Sequence, residues 1–329
     1  VNSIMESKGV DPAFDMLIKI NTTDPDFRKS CHGVTHDLGV KTYELFSKGR
    51  EFKFSKKSQY CSFGFYHAFM QSLVHEKGYD AEAARAFCEK AREQLQDSVP
   101  DILGACYHGI GHGAIDDDGY AKWKNEKSMT EKVLDFCVSV SSNNSLLYRC
   151  SSGIFNVMAI AYSDNRLKVN ETNPISFCQS LDNKIYRKAC YDEMNTFLAR
   201  LSRGNLTKAI GFLEKINIDD EKKSATRSLA QVFPTMSMEN DFEKIILSCR
   251  NVEEKVRLNC FFGFAAGLIE TGGPETEYVE GLKFCALNSL KNDERQACFD
   301  GILWYLQRLY PSQKIENICT KTDIKFKNY

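Results

Sequence analysis

The stretch FCQSLDNKIYRKACYDEM, residues 177–194, ends an apolar segment of helical character on Cys178, crosses a polar connection, and opens a second helical segment at Cys190. The frame recurs along the chain. FCEKAREQLQDSVPDILGACYHGI (87–110) holds Cys88 and Cys106, and FCVSVSSNNSLLYRCSSGI (136–154) holds Cys137 and Cys150. SCRNVEEKVRLNCFFGF (248–264) holds Cys249 and Cys260, and FCALNSLKNDERQACFDGI (284–302) holds Cys285 and Cys298. Arginine stands three residues before such a cysteine at Arg28, Arg187, Arg257 and Arg295. Glycine stands three residues after one at Gly64, Gly109, Gly153, Gly263 and Gly301. A missing Cβ at that point lets two helices cross closely.

One copy departs from the frame in an informative way. FLEKINIDDEKKSATRSL (212–229) places Leu213 and Ala225 at the two cysteine positions, twelve residues apart as Cys178 and Cys190 are. Bonded partners are lost together, whereas independent thiols are lost singly. The frame therefore predicts five disulfides: Cys88–Cys106, Cys137–Cys150, Cys178–Cys190, Cys249–Cys260 and Cys285–Cys298. Each closes a loop of roughly 12–20 residues, worth on the order of 3 kcal/mol in chain-closure entropy. Cys31 and Cys61 either bond each other across repeats or remain thiols and extra ligands beside the histidines described below. Cys319 reads as the first cysteine of a repeat cut short, either a thiol or paired with another chain.

Second helices are expected to begin near residues 31, 61, 106, 150, 190, 225, 260 and 298, at spacings of 30 to 45. That is the period of two-helix repeats. Strand signals are weak. In period and helix pairing the chain resembles tetratricopeptide-type helical repeats. The expected fold is all-α: an α-solenoid, a right-handed superhelix of about eight helix-turn-helix repeats stapled by disulfides. It would form one elongated domain over 1–329, with histidine-bearing repeats in 1–125 and disulfide-stapled repeats without histidine in 126–329.

Forty-three basic and 44 acidic residues leave a net charge of −1 and no strongly basic segment, which argues against nucleic acid as the main partner. No apolar run approaches the roughly 18–20 residues that span a bilayer. The chain begins at Val1 rather than methionine, as expected where a signal or anchor segment has been removed. Thirteen cysteines and N-glycosylation sequons at Asn21, Asn143, Asn170 and Asn205 together favour an oxidising, extracytoplasmic setting: secreted, cell-surface or periplasm-like. The alternative is a reduced protein with many buried thiols.

All six histidines fall between residues 32 and 112. Aligned on Gly33, Gly64 and Gly109, the first three copies carry His36, His67 and His112 three residues later, and His32, Phe63 and His108 one residue earlier. Later copies carry Asn156, Ala266 and Trp304 at the later position. Residues i and i+4 share a helix face, so His32/His36 and His108/His112 each present two imidazoles together. Stacked helices would bring the five rings to one surface as a metal site, with copper or zinc ahead of iron. Five ligands suffice for one three-histidine site with outer supporting groups, or for two adjacent ions. The alternative is a hydrogen-bonded histidine network. Asp37 and Asp116 are the candidate general bases on metal-bound water. His75 reads as a surface residue, and DDDGY (116–120) as a solvated turn.

No G-x-S-x-G elbow, phosphate loop, H-E-x-x-H run or dinucleotide fingerprint is present. The expected function is an extracytoplasmic metal-binding helical-repeat protein, and if an enzyme, a metal-dependent hydrolase or oxidoreductase. The alternative is a protein-interaction scaffold or accessory subunit in which the histidines are structural, with Phe261, Phe262, Trp304 and Tyr305 as possible anchors. The partner, protein or small-molecule substrate, is not defined by the sequence.

Overall fold

The computed structural model describes residues 1–24, 27–50, 53–116, 125–236 and 241–321. Among them every regular element is helical. The chain divides into two compact units, Val1–Met158 with Gly273–Glu275, and Ala159–Gly272 with Thr276–Tyr329. The first holds α1 (Asn2–Lys8), α2 (Val10–Thr23), α3 (Cys31–Ser47), α4 (Gly64–Lys77), α5 (Ala81–Leu95), α6 (Ile102–Asp116) and α7 (Glu126–Val140). The unit boundary falls within α8 (Asn144–Ser163). The second unit holds α9 (Ser176–Gln179), α10 (Lys184–Glu193), α11 (Asn195–Leu201), α12 (Leu206–Leu213), α13 (Asp219–Met236), α14 (Phe242–Arg250), α15 (Glu254–Glu270), α16 (Tyr278–Cys285), α17 (Asn292–Leu309) and α18 (Ser312–Lys321).

All eight expected second helices exist, but most begin earlier than the cysteine. Cys150, Cys190, Cys260 and Cys298 are each the seventh residue of their helix, and Ala225 is the seventh of α13. The reason is visible at α10. The Asn183 side chain accepts the Ile185 N–H at 2.8 Å and starts the helix at Lys184. The polar letters NKIYRK, read as a connection, form its first two turns. They are exposed or half-buried, while Ala189 and Cys190 are buried.

Six disulfides staple the units: Cys31–Cys61, Cys88–Cys106, Cys137–Cys150, Cys178–Cys190, Cys249–Cys260 and Cys285–Cys298. Cys31 and Cys61 are bonded to each other, so neither offers a thiolate to a metal. Cys319 is exposed in α18, outside these six bonds. Of the sequon asparagines, Asn21 is buried in α2 and presents no acceptor amide at the surface. Asn143 and Asn205 are exposed residues at the N-termini of α8 and α12, accepting N–H groups of the first turn. Asn170 holds an exposed turn. The aromatic anchors divide: Phe261 and Tyr305 are core, whereas Trp304 is 42% exposed and packs against half-buried Phe262.

Within each unit the second helices lie in a row. In the first, α4 packs against α3 and α6; in the second, α15 packs against α13 and α17. All five repeat glycines stand where a Cβ would meet backbone or side-chain atoms of the neighbouring helix. Gly64 faces α3, Gly109 faces α4, Gly153 faces α6, Gly263 faces α13 and Gly301 faces α15. The helices therefore approach almost backbone to backbone. In α4 the spacing also separates two faces: Phe65 and Phe69, one turn apart, enter the aromatic core with Phe14 and Phe87, while His67 points the other way.

A candidate metal centre of five imidazoles

The run CYHGIGHGA explains how α6 carries two imidazoles into the row. Gly109 and Gly113, four apart, face α4: a Cβ on Gly109 would stand 2.7 Å from the Tyr66 carbonyl oxygen, and one on Gly113 2.8 Å from the Gln71 Cα. Gly111, on the opposite face, meets α8, where its Cβ would overlap the Cys150 carbonyl oxygen. Gly153 of α8 returns the contact against the His108 carbonyl oxygen. Helix α6 is thus clasped from both sides, and His108 and His112 occupy the edge between the two glycine faces.

The five rings form one continuous cluster. His32 and His36 on α3 have ring centroids 4.7 Å apart. His67 on α4 lies 5.4 and 5.6 Å from them, and 4.8 and 5.1 Å from His108 and His112 on α6. His108 and His112 are themselves 4.9 Å apart. Two groups of three have ligand nitrogens mutually within 4.8 Å: His32, His36 and His67, and His67, His108 and His112. His67 belongs to both. Exposure falls along the series: His32 is exposed, His36 and His67 are half-buried, and His108 and His112 are 8% and 6% exposed.

The surrounding hydrogen bonds fix which nitrogens face inward. The His32 Nδ1–H donates to the Cys61 carbonyl oxygen at 2.7 Å, so its Nε2 faces the cluster, 3.1 Å from His36 Nε2. Ser152 donates its only hydroxyl proton to the Arg149 carbonyl at 2.8 Å, so its Oγ accepts from His108 Nδ1 at 2.7 Å. Asn156 hydrogen-bonds His112, whose Nε2 is buried and meets no donor or acceptor among the described residues. His67 Nδ1 is likewise buried without a hydrogen-bond partner. Metal-binding histidines are oriented in this way, the outward nitrogen held by a carbonyl, hydroxyl or amide.

The electrostatics keep His36, His67 and His112 neutral. Burial, then the neighbouring His32, pushes His112 down to about 4, against the opposing pull of Asn156. Burial, His32 and His112 push His36 down to about 3. His67 is held well below the ordinary imidazole range by burial and by the four other rings. Neutral imidazole carries the lone pair a metal needs.

Cys61, Ser62 and Phe63 all have left-handed φ angles, of 55°, 61° and 60°. The sequence expects a helix to open at Cys61; instead this left-handed turn precedes α4, and its first carbonyl is the one that holds His32. Each such non-glycine residue costs on the order of 1–2 kcal/mol, a form of local strain that clusters at functional sites.

The sequence-expected residues do not all gather here. Asp37 is exposed and belongs to neither triad, since its position beside His36 turns it about 100° around the helix. The side chain of Asp116, and residues 117–120 of DDDGY, lie outside the described residues. His75 is exposed near the end of α4 and joins neither group. No histidine triad in the described residues includes a carboxylate or thiolate. Ser152, Asn156 and the Cys61 carbonyl were not anticipated as parts of the site. Ser152 and Asn156 nevertheless stand one before and three after Gly153, the register that locates the histidines.

The fold and site define an all-α, disulfide-stapled protein with a histidine cluster able to hold a metal ion. Comparison of the chain with protein-family models, with curated proteins and with solved structures finds no match.

Proposed function

We propose that this protein binds a transition-metal ion through His32, His36, His67, His108 and His112 in an oxidising, extracytoplasmic compartment. Copper or zinc is favoured, with iron third. The observation that carries the reading is the pair of buried nitrogens, His67 Nδ1 and His112 Nε2, that meet no hydrogen-bond partner among the described residues. They lie in a cluster whose neighbouring rings are anchored from outside. An unsatisfied buried nitrogen costs about 1–3 kcal/mol, and a metal bond removes that cost. A purely imidazole set is borderline in softness, suiting copper, zinc, nickel and iron rather than calcium or magnesium. Three neutral ligands leave a tetrahedral position for water or substrate, which brings hydrolytic or oxidative chemistry within this reading. The six disulfides support the compartment. Among the described residues, no helix is long and apolar enough to cross a membrane.

The test is elemental analysis of protein purified without a histidine tag, beside His36→Ala/His112→Ala. Near-stoichiometric copper, zinc or iron that disappears in the variant supports the reading. Metal absent from both, and none taken up when supplied, overturns it. The second reading, a protein-interaction scaffold, is favoured by Trp304. It is 42% exposed on α17, packed on Phe262 and covered by the Arg308 guanidinium 5.3 Å from its ring.

A further inference from the structure

We infer that the five imidazoles are two three-ligand sites in series: an outer site of His32, His36 and His67 that takes the ion from solvent, and an inner site of His67, His108 and His112 that retains it. The inference rests on the metal-binding reading above and adds how the ion arrives and where it stays.

Three observations order the sites. The first is access. The outer triad includes the one exposed ring, His32, whereas His108 and His112 are buried beneath α8 where Gly111 and Gly153 close the crossing. The second is competition. In the outer triad the His32 and His36 Nε2 atoms are hydrogen-bonded to each other at 3.1 Å, and that bond must break before both can ligate. In the inner triad His112 Nε2 has no bond to give up. The third is preorganisation. Ser152 and Asn156 on α8 hold the inner rings from behind, on a helix clasped at two glycine faces. His32 and His36 sit on the first two turns of α3, where the Cys61 carbonyl holds His32. Access favours the outer site and affinity the inner one.

His67 makes the transfer short. It stays bound while the ion exchanges the nitrogens of His32 and His36 for those of His108 and His112, so the ion is never released to water. The exchange swaps neutral ligands for neutral ligands, with no electron moved and no proton lost. Bonds of about 2.0–2.1 Å place tetrahedral ligand nitrogens roughly 3.3 Å apart. Nitrogens already within 4.8 Å reach that separation by side-chain rotation.

The experiment loads metal-free protein with zinc chloride by stopped flow, in competition with a chromophoric chelator, and measures retained zinc after desalting. Wild type is compared with His32→Ala/His36→Ala and with His108→Ala/His112→Ala. Circular dichroism and thiol counting confirm that each variant is folded, and His32→Gln/His36→Gln replaces the first should it fail. The outer variant is expected to retain as much zinc as wild type but to load at least tenfold more slowly. The inner variant is expected to take up zinc at the wild-type rate and lose it to the chelator. An outer variant that loads at the wild-type rate, or that retains no zinc, overturns the series arrangement. Wild type that takes up no zinc, copper or iron overturns the metal reading itself, a distinct result.

Discussion

Adding one methyl group to α8 tests the close helix crossing on which the cluster depends. In Gly153→Ala the new Cβ falls 2.0 Å from the His108 carbonyl oxygen and 2.9 Å from the backbone nitrogen of His112. Non-bonded heavy atoms normally stay beyond about 3 Å, so α6 and α8 must part by about 1 Å or more. Overpacking of this kind costs about 1–3 kcal/mol. Weakening the Ser152–His108 bond adds about 1 kcal/mol, and alanine's better helix propensity returns about 1 kcal/mol. The balance is a loss of about 2 kcal/mol, or on the order of 4–8 °C in Tm for a unit of this size. Gly33→Ala is the control. Gly33 is an exposed helical residue of α3 with nothing within 4 Å of its added Cβ, so only the propensity gain of up to about 1 kcal/mol remains. Calorimetry of the metal-free proteins should therefore show the two substitutions moving Tm in opposite directions. A Gly153→Ala protein as stable as the Gly33→Ala protein would refute the close crossing.

Three further outcomes follow from named groups. The unfolded chain protonates its histidines near pH 6.5, whereas folded His112 resists protonation down to about 4. Between these values the unfolded state holds the extra proton, so stability rises with pH. Acidification from pH 6.5 to 4 removes about 3 kcal/mol through His112 alone. Urea midpoints of metal-free protein should fall across that window and fall less in His112→Gln; equal slopes would contradict the buried neutral ring. Asn156→Leu and Ser152→Ala should each weaken metal retention by about 10–100-fold, as loss of an outer hydrogen bond to a ligand does, with chelator competition as the readout. In the second unit, fully buried Glu294 is paired to Arg250 at 2.6 Å and Arg257 at 2.9 Å. Glu294→Ala removes the carboxylate they share, while Arg257 keeps Asp293 at 2.6 Å and Arg250 keeps the Ser289 carbonyl at 2.6 Å, so the expected cost in denaturant unfolding is about 1.5–3 kcal/mol.

The repeat was legible because its marks are pairwise. A cysteine pair, an arginine before it and a glycine after it report three contacts between helices, and Leu213 with Ala225 supplies the control. Helix starts were less legible. In NKIYRKAC the side chains of the first two turns stay in or near solvent, so polarity alone cannot separate them from a loop; only the Asn183 cap marks the boundary. Likewise the left-handed turn at Cys61, Ser62 and Phe63 has no compositional signature, since none of the three is a glycine.

The same register that located the histidines also contained their supports. Across α3, α4, α6 and α8 one edge of the row reads His32/His36, His67, His108/His112 and Ser152/Asn156. At α8 the lone-pair donors give way to a hydroxyl and an amide that hold His108 and His112 from behind. Asn156 looks like the place where the histidine pattern stops, yet chemically it closes the pattern. A ligand ring needs an acceptor on its far nitrogen, and in a row of stacked helices the next helix is the element placed to provide one. Asp37 is the neighbour of His36 in sequence, but adjacency along a helix turns a residue away from its neighbour's face. In this architecture a functional partner lies one repeat away rather than one residue away.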